Sequence, residues 1–226
     1  MDVSPIKAVQ APYYGDNFYR TPPPDLPSLL LKERIVYLGT PLFAEVTKLI
    51  IAELLYLQSD DPDKPIKIYI NSTGTSDGSS GQMGRLFGFE TEAFAIYDTM
   101  KYIKPPIHTI CIGKAVGMAA VLLSAGTKGC RASLAHSSIV LHQPRSFAQG
   151  QATDIQIQAK EVLNNKTAMV DILSRNTGQP KEKIVKDMDR HFYMTPQQAV
   201  EYGLIDRVFE KADEVANTPA TTAGIL

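Results

Sequence analysis

The stretch from Gly113 to Gly126 could position acyl-transfer chemistry, because it follows an apolar strand and contains a turn and an apolar helix. The strand is predicted at Ile107–Ile112, the turn is flanked by glycines, and the helix follows Gly117. A strand, turn and helix in this order present a nucleophile beside backbone N–H donors. Gly117 lies at the apex of the turn, however, and it has no side chain to attack a carbonyl. The stretch therefore predicts the architecture of an acyl-transfer site without its nucleophile.

Two other residues have the types that would complete such a site. His142 follows the apolar strand Ser138–Leu141, so we expect its imidazole at a strand end. Asp187 lies on a short helix, where a single carboxylate is usually a surface group. A Ser–His–Asp arrangement also requires a hydroxyl at the apex, and Gly117 does not supply one.

Three serines are the candidates for a relocated nucleophile. Ser124 lies two turns along the apex helix, roughly 10 Å from Gly117. Ser137 and Ser138 are expected on the far side of a strand from the N–H donors of the apex. The site has therefore either lost its nucleophile or moved it to one of these hydroxyls.

Composition argues against several other classes of protein. With 23 Lys and Arg against 24 Asp and Glu, the net charge is -1, which favours neither nucleic acid nor a membrane surface as a partner. The two cysteines and four histidines show no CxxC, HxH or HExxH spacing, so no metal is expected. The absence of GxGxxG and GxxxxGK[ST] motifs likewise predicts no cofactor.

The location of the protein is predicted from its leading and apolar segments. No apolar run approaches the ~20 residues of a membrane span. The first twenty residues match neither a secretory signal nor a transit peptide. We therefore expect a cytoplasmic protein.

The hydrophobic pattern predicts an α/β fold with mostly parallel strands, because strands and helices alternate along the chain. Strands are predicted at 35–38, 66–71, 107–112, 131–134, 139–141 and 205–209, and helices around 46–57, 90–103, 118–126, 153–176, 181–187 and 196–203. Thr153 and Asp154 are predicted to cap the longest helix. A helix of this length cannot bury all its surface on one small core, so we expect it to project and to pack against another subunit.

Three segments have the composition of loops or tails. Residues 1–28 read as a flexible arm, in which aromatics adjoin a polyproline tract, a combination typical of a docking peptide. The docking candidates are Tyr13, Tyr14, Phe18, Tyr19, Pro22, Pro23 and Pro24. Residues 76–88 have loop composition, and residues 212–226 read as a disordered tail.

Six collinear motifs carry a family resemblance that spans Leu29 to Phe209. They are Leu30–Ile35, Tyr69–Ser72, Ile96–Met100, His142–Pro144, Gln149–Ile155 and Ala199–Leu204. In these motifs the sequence resembles the ClpP family, the serine peptidase core of the ATP-dependent Clp protease. The resemblance implies a crotonase-like spiral of strand and helix units over residues 29–211, with a projecting handle helix at about 145–176. It also implies heptameric rings and an AAA+ Clp chaperone as a partner.

The departures from the family pattern concern chemistry. Gly117 replaces the serine of the family's Gly-x-Ala-x-Ser-Met motif, whereas His142 and Asp187 fall on the base and orienting positions. The family's oxyanion positions correspond to Met118 and to Thr75, a β-branched residue where the family has glycine. Ser146 and Phe147 replace a Gly-Gly pair in the strand that would bind substrate.

These departures are similar to those of ClpR, the ClpP-like subunit of cyanobacteria and plastids that lacks the catalytic serine. The resemblance implies a catalytically inactive ring subunit that assembles with active ClpP-type subunits in the same or the facing ring. Two alternatives remain: an active serine peptidase with a relocated nucleophile, and a crotonase-type acyl-CoA hydratase, which would need a carboxylate base near the apex.

Overall fold

The computed structural model describes residues 25–75, 89–145 and 150–210, apart from the side chain of Phe89. The arm from Tyr13 to Pro24, the segment 76–88, the positions Ser146 and Phe147, and the tail from 211 lie outside the described residues.

Helices and strands alternate through the described ranges. The helices are α1 (Leu26–Lys32), α2 (Ala44–Asp60), α3 (Phe89–Tyr102), α4 (Met118–Ser124), α5 (Ala152–Thr177), α6 (Lys181–Asp187) and α7 (Pro196–Tyr202). The strands are β1 (Ile35–Leu38), β2 (Ile66–Ser72), β3 (Ile107–Val116), β4 (Arg131–Leu134), β5 (Ser138–Leu141), β6 (Phe192–Met194) and β7 (Arg207–Phe209). Helix α1 begins ahead of residue 29, the expected start of the domain.

The sheet has the mostly parallel pairing that the sequence predicts. Strands β1, β2, β3, β4 and β7 lie side by side in that order, and each neighbouring pair is parallel. Strand β5 pairs in parallel with the end of β3, and β6 pairs with β5 in the antiparallel sense. The predicted α/β fold class is thereby confirmed.

Strand β3 changes neighbours halfway along its length. Its first half pairs with β4 from Thr109 to Cys111, and its last three residues, from Lys114, pair with β5. Gly113 lies between the two halves with a φ of 95°, a conformation that favours glycine. The strand was expected to end at Ile112; it continues to Val116 because β5 provides new partners for its backbone.

The core lies where the helices cover one face of the sheet. All seven residues of α4 are buried, which explains its continuous apolar sequence. Helices α3 and α5 pack beside it, and α2 packs against α3. Leu54 of α2 and Ile96 of α3 are almost fully buried in this core. The apex helix is therefore central to the fold as well as to the predicted site.

Among the other predicted boundaries that differ from the structure, two differ for an identifiable local reason. The N-cap of α5 is Gln151, without a side-chain capping bond, so Thr153 and Asp154 lie inside the first turn. Strand β7 begins at Arg207 because the N–H groups of Leu204 and Ile205 both bond back to the Ala199 carbonyl at the end of α7. None of the helices within the described ranges is long and apolar enough to cross a lipid bilayer.

A buried ion pair joins β7 to the rest of the sheet. The Arg131 guanidinium contacts both carboxylate oxygens of Asp206, at 2.6 Å and 3.0 Å, and also donates to the Asn176 carbonyl at the end of α5. The Asp206 carboxylate also accepts the backbone N–H groups of Gly129 and Arg131. Burial alone raises the pKa of Asp206, but these hydrogen bonds outweigh it and lower that pKa below its ordinary value.

We expect Asp206→Asn to lower the free energy of unfolding at neutral pH by about 3 kcal/mol, because it leaves the buried Arg131 charge unpaired. The matched control is Asp171→Asn, which breaks the exposed Lys181–Asp171 pair and should cost less than about 1 kcal/mol. Urea denaturation measures both values. Equal losses in the two variants would contradict a structural role for the buried pair.

The same pair predicts a pH dependence. Because the folded-state pKa of Asp206 is depressed, its contribution is complete above the unfolded pKa of about 4 and is lost as pH falls through the folded value. The stability difference between wild type and Asp206→Asn should therefore shrink in urea titrations below about pH 4. A constant difference would contradict this linkage.

Candidate functional site

The turn between β3 and α4 keeps the geometry of a nucleophile turn around a residue without a side chain. Gly117 has φ 56° and ψ -117°, a conformation that strains any residue with a Cβ atom. Its N–H donates to the Val140 carbonyl at 2.8 Å, and its carbonyl accepts from the N–H groups of Ala120 and Val121. These bonds fix the turn between β5 and the first turn of α4.

The imidazole of His142 occupies the space that a nucleophile's side chain would need. A Cβ atom built on Gly117 would lie 2.6 Å from Nε2 and 2.9 Å from Cε1 of this ring. Such distances are well inside van der Waals contact. Gly117 is therefore required by the close approach of His142 as well as by the backbone conformation.

The hydrogen bond of His142 orients its ring. Nδ1 lies 2.9 Å from the Gln143 carbonyl, and a carbonyl can only accept, so Nδ1 carries a proton in this bond. In the neutral ring Nε2 then holds the lone pair and faces Gly117. Burial lowers the pKa of His142; the nearby Arg145 and His191 lower it further, although the bond to Gln143 opposes this.

Asp187 bonds to a different partner from the one that a catalytic triad requires. Its Oδ2 accepts from the Tyr202 hydroxyl at 3.0 Å, while Nδ1 of His142 is bonded to the Gln143 carbonyl. Burial and the adjacent Asp187 carboxylate raise the pKa of Tyr202, so the phenol stays a donor. His142 and Asp187 are both present, but each forms a hydrogen bond with another residue instead of the expected bond between them.

Gly74, which precedes Thr75, lies against the apex turn. A Cβ atom on Gly74, which has a φ of 80°, would collide with the Val116 carbonyl oxygen and would lie 3.3 Å from the Met118 nitrogen. The Gly74 N–H donates to Ser72 Oγ at 3.1 Å, so this donor already has an acceptor. Thr75 is half-buried and forms an isolated bridge with Leu42.

The Met118 N–H, which is the first of α4, is the other oxyanion position that the sequence predicts. The Met118 side chain is buried in the core. The oxyanion role of Met118 and Thr75 stays a prediction.

Two of the three hydroxyls proposed as relocated nucleophiles, those of Ser124 and Ser137, have structural partners. Ser124 is buried; its Oγ donates to the Val121 carbonyl at 2.7 Å and accepts from the side-chain amide of Asn176. Ser137 donates to the Cys111 carbonyl at 3.1 Å. Ser138 is the first residue of β5 and is half-buried. Within the described ranges, none of the three forms a hydrogen bond with His142.

Sequence reasoning missed two residues beside His142. Leu141 pairs with Phe192 in the antiparallel ladder between β5 and β6, so the flanking residues His142 and His191 lie opposite each other. Their rings are 5.2 Å apart, and Arg145 Nη2 lies 3.0 Å from His191 Nε2. No sequence motif marks His191 or Arg145, and only the β5–β6 pairing brings them to the site.

The possible metal ligands are the His, Cys, Asp and Glu side chains of the described ranges. Across residues 25–75, 89–145 and 150–210, no group of three or more His, Cys, Asp or Glu side chains is placed to hold a metal ion. Burial raises the pKa of the Cys111 thiol to about 11, so this cysteine is a neutral core residue.

Comparisons with family models and with known proteins indicate the same family. Residues 23–212 match the Clp protease family model. The chain is 66% identical over 220 residues to a protein of Synechocystis sp. described as ATP-dependent Clp protease proteolytic subunit-like, covering 93% of this chain and 96% of the relative.

Two more distant relatives carry related descriptions. The chain is 54% identical to the ATP-dependent Clp protease proteolytic subunit 2 of Gloeobacter violaceus, covering 96% of this chain and 95% of the relative. It is 52% identical to the chloroplastic ATP-dependent Clp protease proteolytic subunit-related protein 4 of Arabidopsis thaliana, covering 87% of this chain and 63% of the relative. The family model matches most of the chain and these relatives are far above 30% identity, and therefore this chain belongs to the Clp protease family.

Proposed function

We propose that this chain is a catalytically inactive, ClpR-like ring subunit of an ATP-dependent Clp protease. In this role it contributes to mixed-ring assembly with active ClpP-type subunits, to the wall of the proteolytic chamber and to chaperone docking. It acts in the cytoplasm and uses no cofactor.

The position of His142 against Gly117 carries the proposal. Covalent catalysis by this family requires a hydroxyl at the apex, and the ring nitrogen that would activate it lies where the side chain would begin. The bond between Asp187 and Tyr202 supports the same conclusion, because an orienting carboxylate must hold the imidazole. Loss of catalysis at this site thus involves the base and the carboxylate as well as the nucleophile.

Helix α5 supports the role in assembly. It has 26 residues, about 39 Å in length, and its buried residues begin only at Asn165. The first half exposes large apolar side chains instead, namely Ile155, Ile157 and Leu163. Exposed apolar groups on a projecting helix are typical of a surface that another subunit covers.

The proposal also includes residues outside the described ranges, in the N-terminal arm and at Ser146 and Phe147. We propose that the segment from Tyr13 to Pro24 docks on the hexameric chaperone, because aromatics beside polyproline are typical of docking peptides. Ser146 and Phe147 would crowd an incoming peptide where the family has glycines. Deletion of residues 1–24 should weaken chaperone association without preventing ring assembly.

We expect the purified chain to hydrolyse a fluorogenic peptide no faster than its His142→Ala variant, because the apex has no nucleophile. Mixed with an active ClpP-type subunit, it should enter hetero-oligomers that native mass spectrometry can count. Turnover by the chain alone that His142→Ala abolishes would contradict the proposal. Phosphonate labelling of Ser124, Ser137 or Ser138 would instead support a relocated nucleophile.

We expect Gly117→Ser to acquire no phosphonate label, since its Cβ would collide with His142 and Asp187 is bonded to Tyr202. Gly117→Ala and Gly117→Ser should both lose about 1–3 kcal/mol of stability in urea denaturation. Gly178→Ala is the matched control, because Gly178 also has a positive φ but has nothing within 4 Å of the added Cβ. A loss at Gly117 no larger than at Gly178 would contradict the steric argument.

We expect Ile157→Glu to reduce assembly with the active subunit at least about tenfold in apparent affinity, because it buries a charge in the proposed contact. The monomer should unfold as the wild type does, since Ile157 is 64% exposed. Gln156→Glu, an adjacent exposed position, adds the same charge and serves as the control. Sedimentation velocity distinguishes the two, and equal assembly by both variants would argue against a contact at Ile157.

A further inference from the structure

Arg145 and His191 contact each other close to His142, and neither has a role in the chemistry described above. His191 precedes β6 and faces His142 across the β5–β6 ladder, with ring centroids 5.2 Å apart. The Arg145 guanidinium reaches the same ring, its Nη2 lying 3.0 Å from Nε2 and 3.3 Å from Nδ1 of His191. Arg145 and His191 are both exposed, so this pair is open to a ligand from solvent.

The hydrogen-bond capacity of the pair is only partly used. A guanidinium has five N–H donors and no acceptor, so the His191 nitrogen that it contacts supplies a lone pair. Among the described residues only Nη2 of Arg145 contacts the His191 ring, so the Nε and Nη1 donors of Arg145 are available to a ligand. Several donors around a fixed positive charge match the two oxygens of a carboxylate.

No neighbouring carboxylate neutralises the guanidinium within the described part of the chain. In that part of the chain Arg145 forms no ion pair. The buried Glu90 accepts a hydrogen bond from the backbone N–H of Arg145, which fixes the main chain and leaves the side chain to His191. Asp187 is bonded to Tyr202. Burial lowers the pKa of His142, and the Arg145 guanidinium lowers it further, as expected of a nearby positive charge.

We propose that Arg145 and His191 form a carboxylate subsite whose ligand is the free C-terminal carboxylate of a short peptide. This inference rests on the proposed function, because active subunits that cut peptides in a shared chamber generate new C-terminal carboxylates beside this chain. A peptide bound here is held without being cut, since Gly117 offers no nucleophile. The inactive subunit therefore acts as a product-binding element of the chamber.

The test uses the full chain and a hexapeptide labelled with fluorescein at its amino end, prepared with a C-terminal acid or a C-terminal amide. Fluorescence anisotropy should show the acid binding about tenfold more tightly than the amide. Arg145→Gln and His191→Gln should each weaken binding of the acid about five- to tenfold and leave the amide unchanged. Arg190→Gln removes a charge from a nearby exposed position and should change affinity less than about twofold.

Equal binding of the acid and amide peptides would overturn the inference, as would equal effects of Arg145→Gln and Arg190→Gln. Inorganic phosphate that displaces the peptide at equal concentration would overturn the assignment to a peptide carboxylate. Thermal unfolding followed by circular dichroism checks that the variants are folded. We expect them to fold, because the substituted side chains are exposed. Mass spectrometry of the same samples separates the two proposals: cleaved peptide contradicts the proposed function, whereas intact but unbound peptide contradicts only the subsite.

Discussion

The hydrogen bonds of Ser137 to Cys111 and Gly113 hold β3 where the strand changes partners. Ser137 Oγ donates to the Cys111 carbonyl and accepts the Gly113 N–H, each at 3.1 Å. Before this point β3 pairs with β4, and after it β3 pairs with β5. Because β5 then carries β6, and β3 leads directly into the buried helix α4, the placement of the turn at Gly117 depends on this one change of neighbour.

That arrangement explains why the turn keeps its geometry without a side chain at its apex. The N–H of Gly117 is bonded to Val140 of β5, and all of α4 is buried, so the turn links two layers of the core. Loss of a serine hydroxyl removes no core contact of α4. The space left at the apex is filled by the His142 ring, which gains burial while its polar Nδ1 bonds to the Gln143 carbonyl. The fold around the apex is in this way independent of a side chain at Gly117.

The elements themselves were largely predictable, because their signals are local. The alternating strand at Ile66 and the helix that ends at Gly178 follow from periodicity and from a glycine that can adopt positive φ. The extension of β3 to Val116 was not predictable, because it requires the distant strand β5 as a partner. The site followed the same division: Gly117, His142 and Asp187 were found from sequence, whereas His191 and Tyr202 were not.

The sequence by itself determined the family and the absence of a hydroxyl at the apex, because both are properties of residue type and order. Tertiary structure alone decided the partners of the polar groups that remain. It places the His142 ring against Gly117, bonds Asp187 to Tyr202, and sets Gly74 beside the Met118 nitrogen. The physical reason is that hydrogen bonds and steric contacts between distant segments depend on distances of a few tenths of an ångström, which packing sets and residue order does not encode locally.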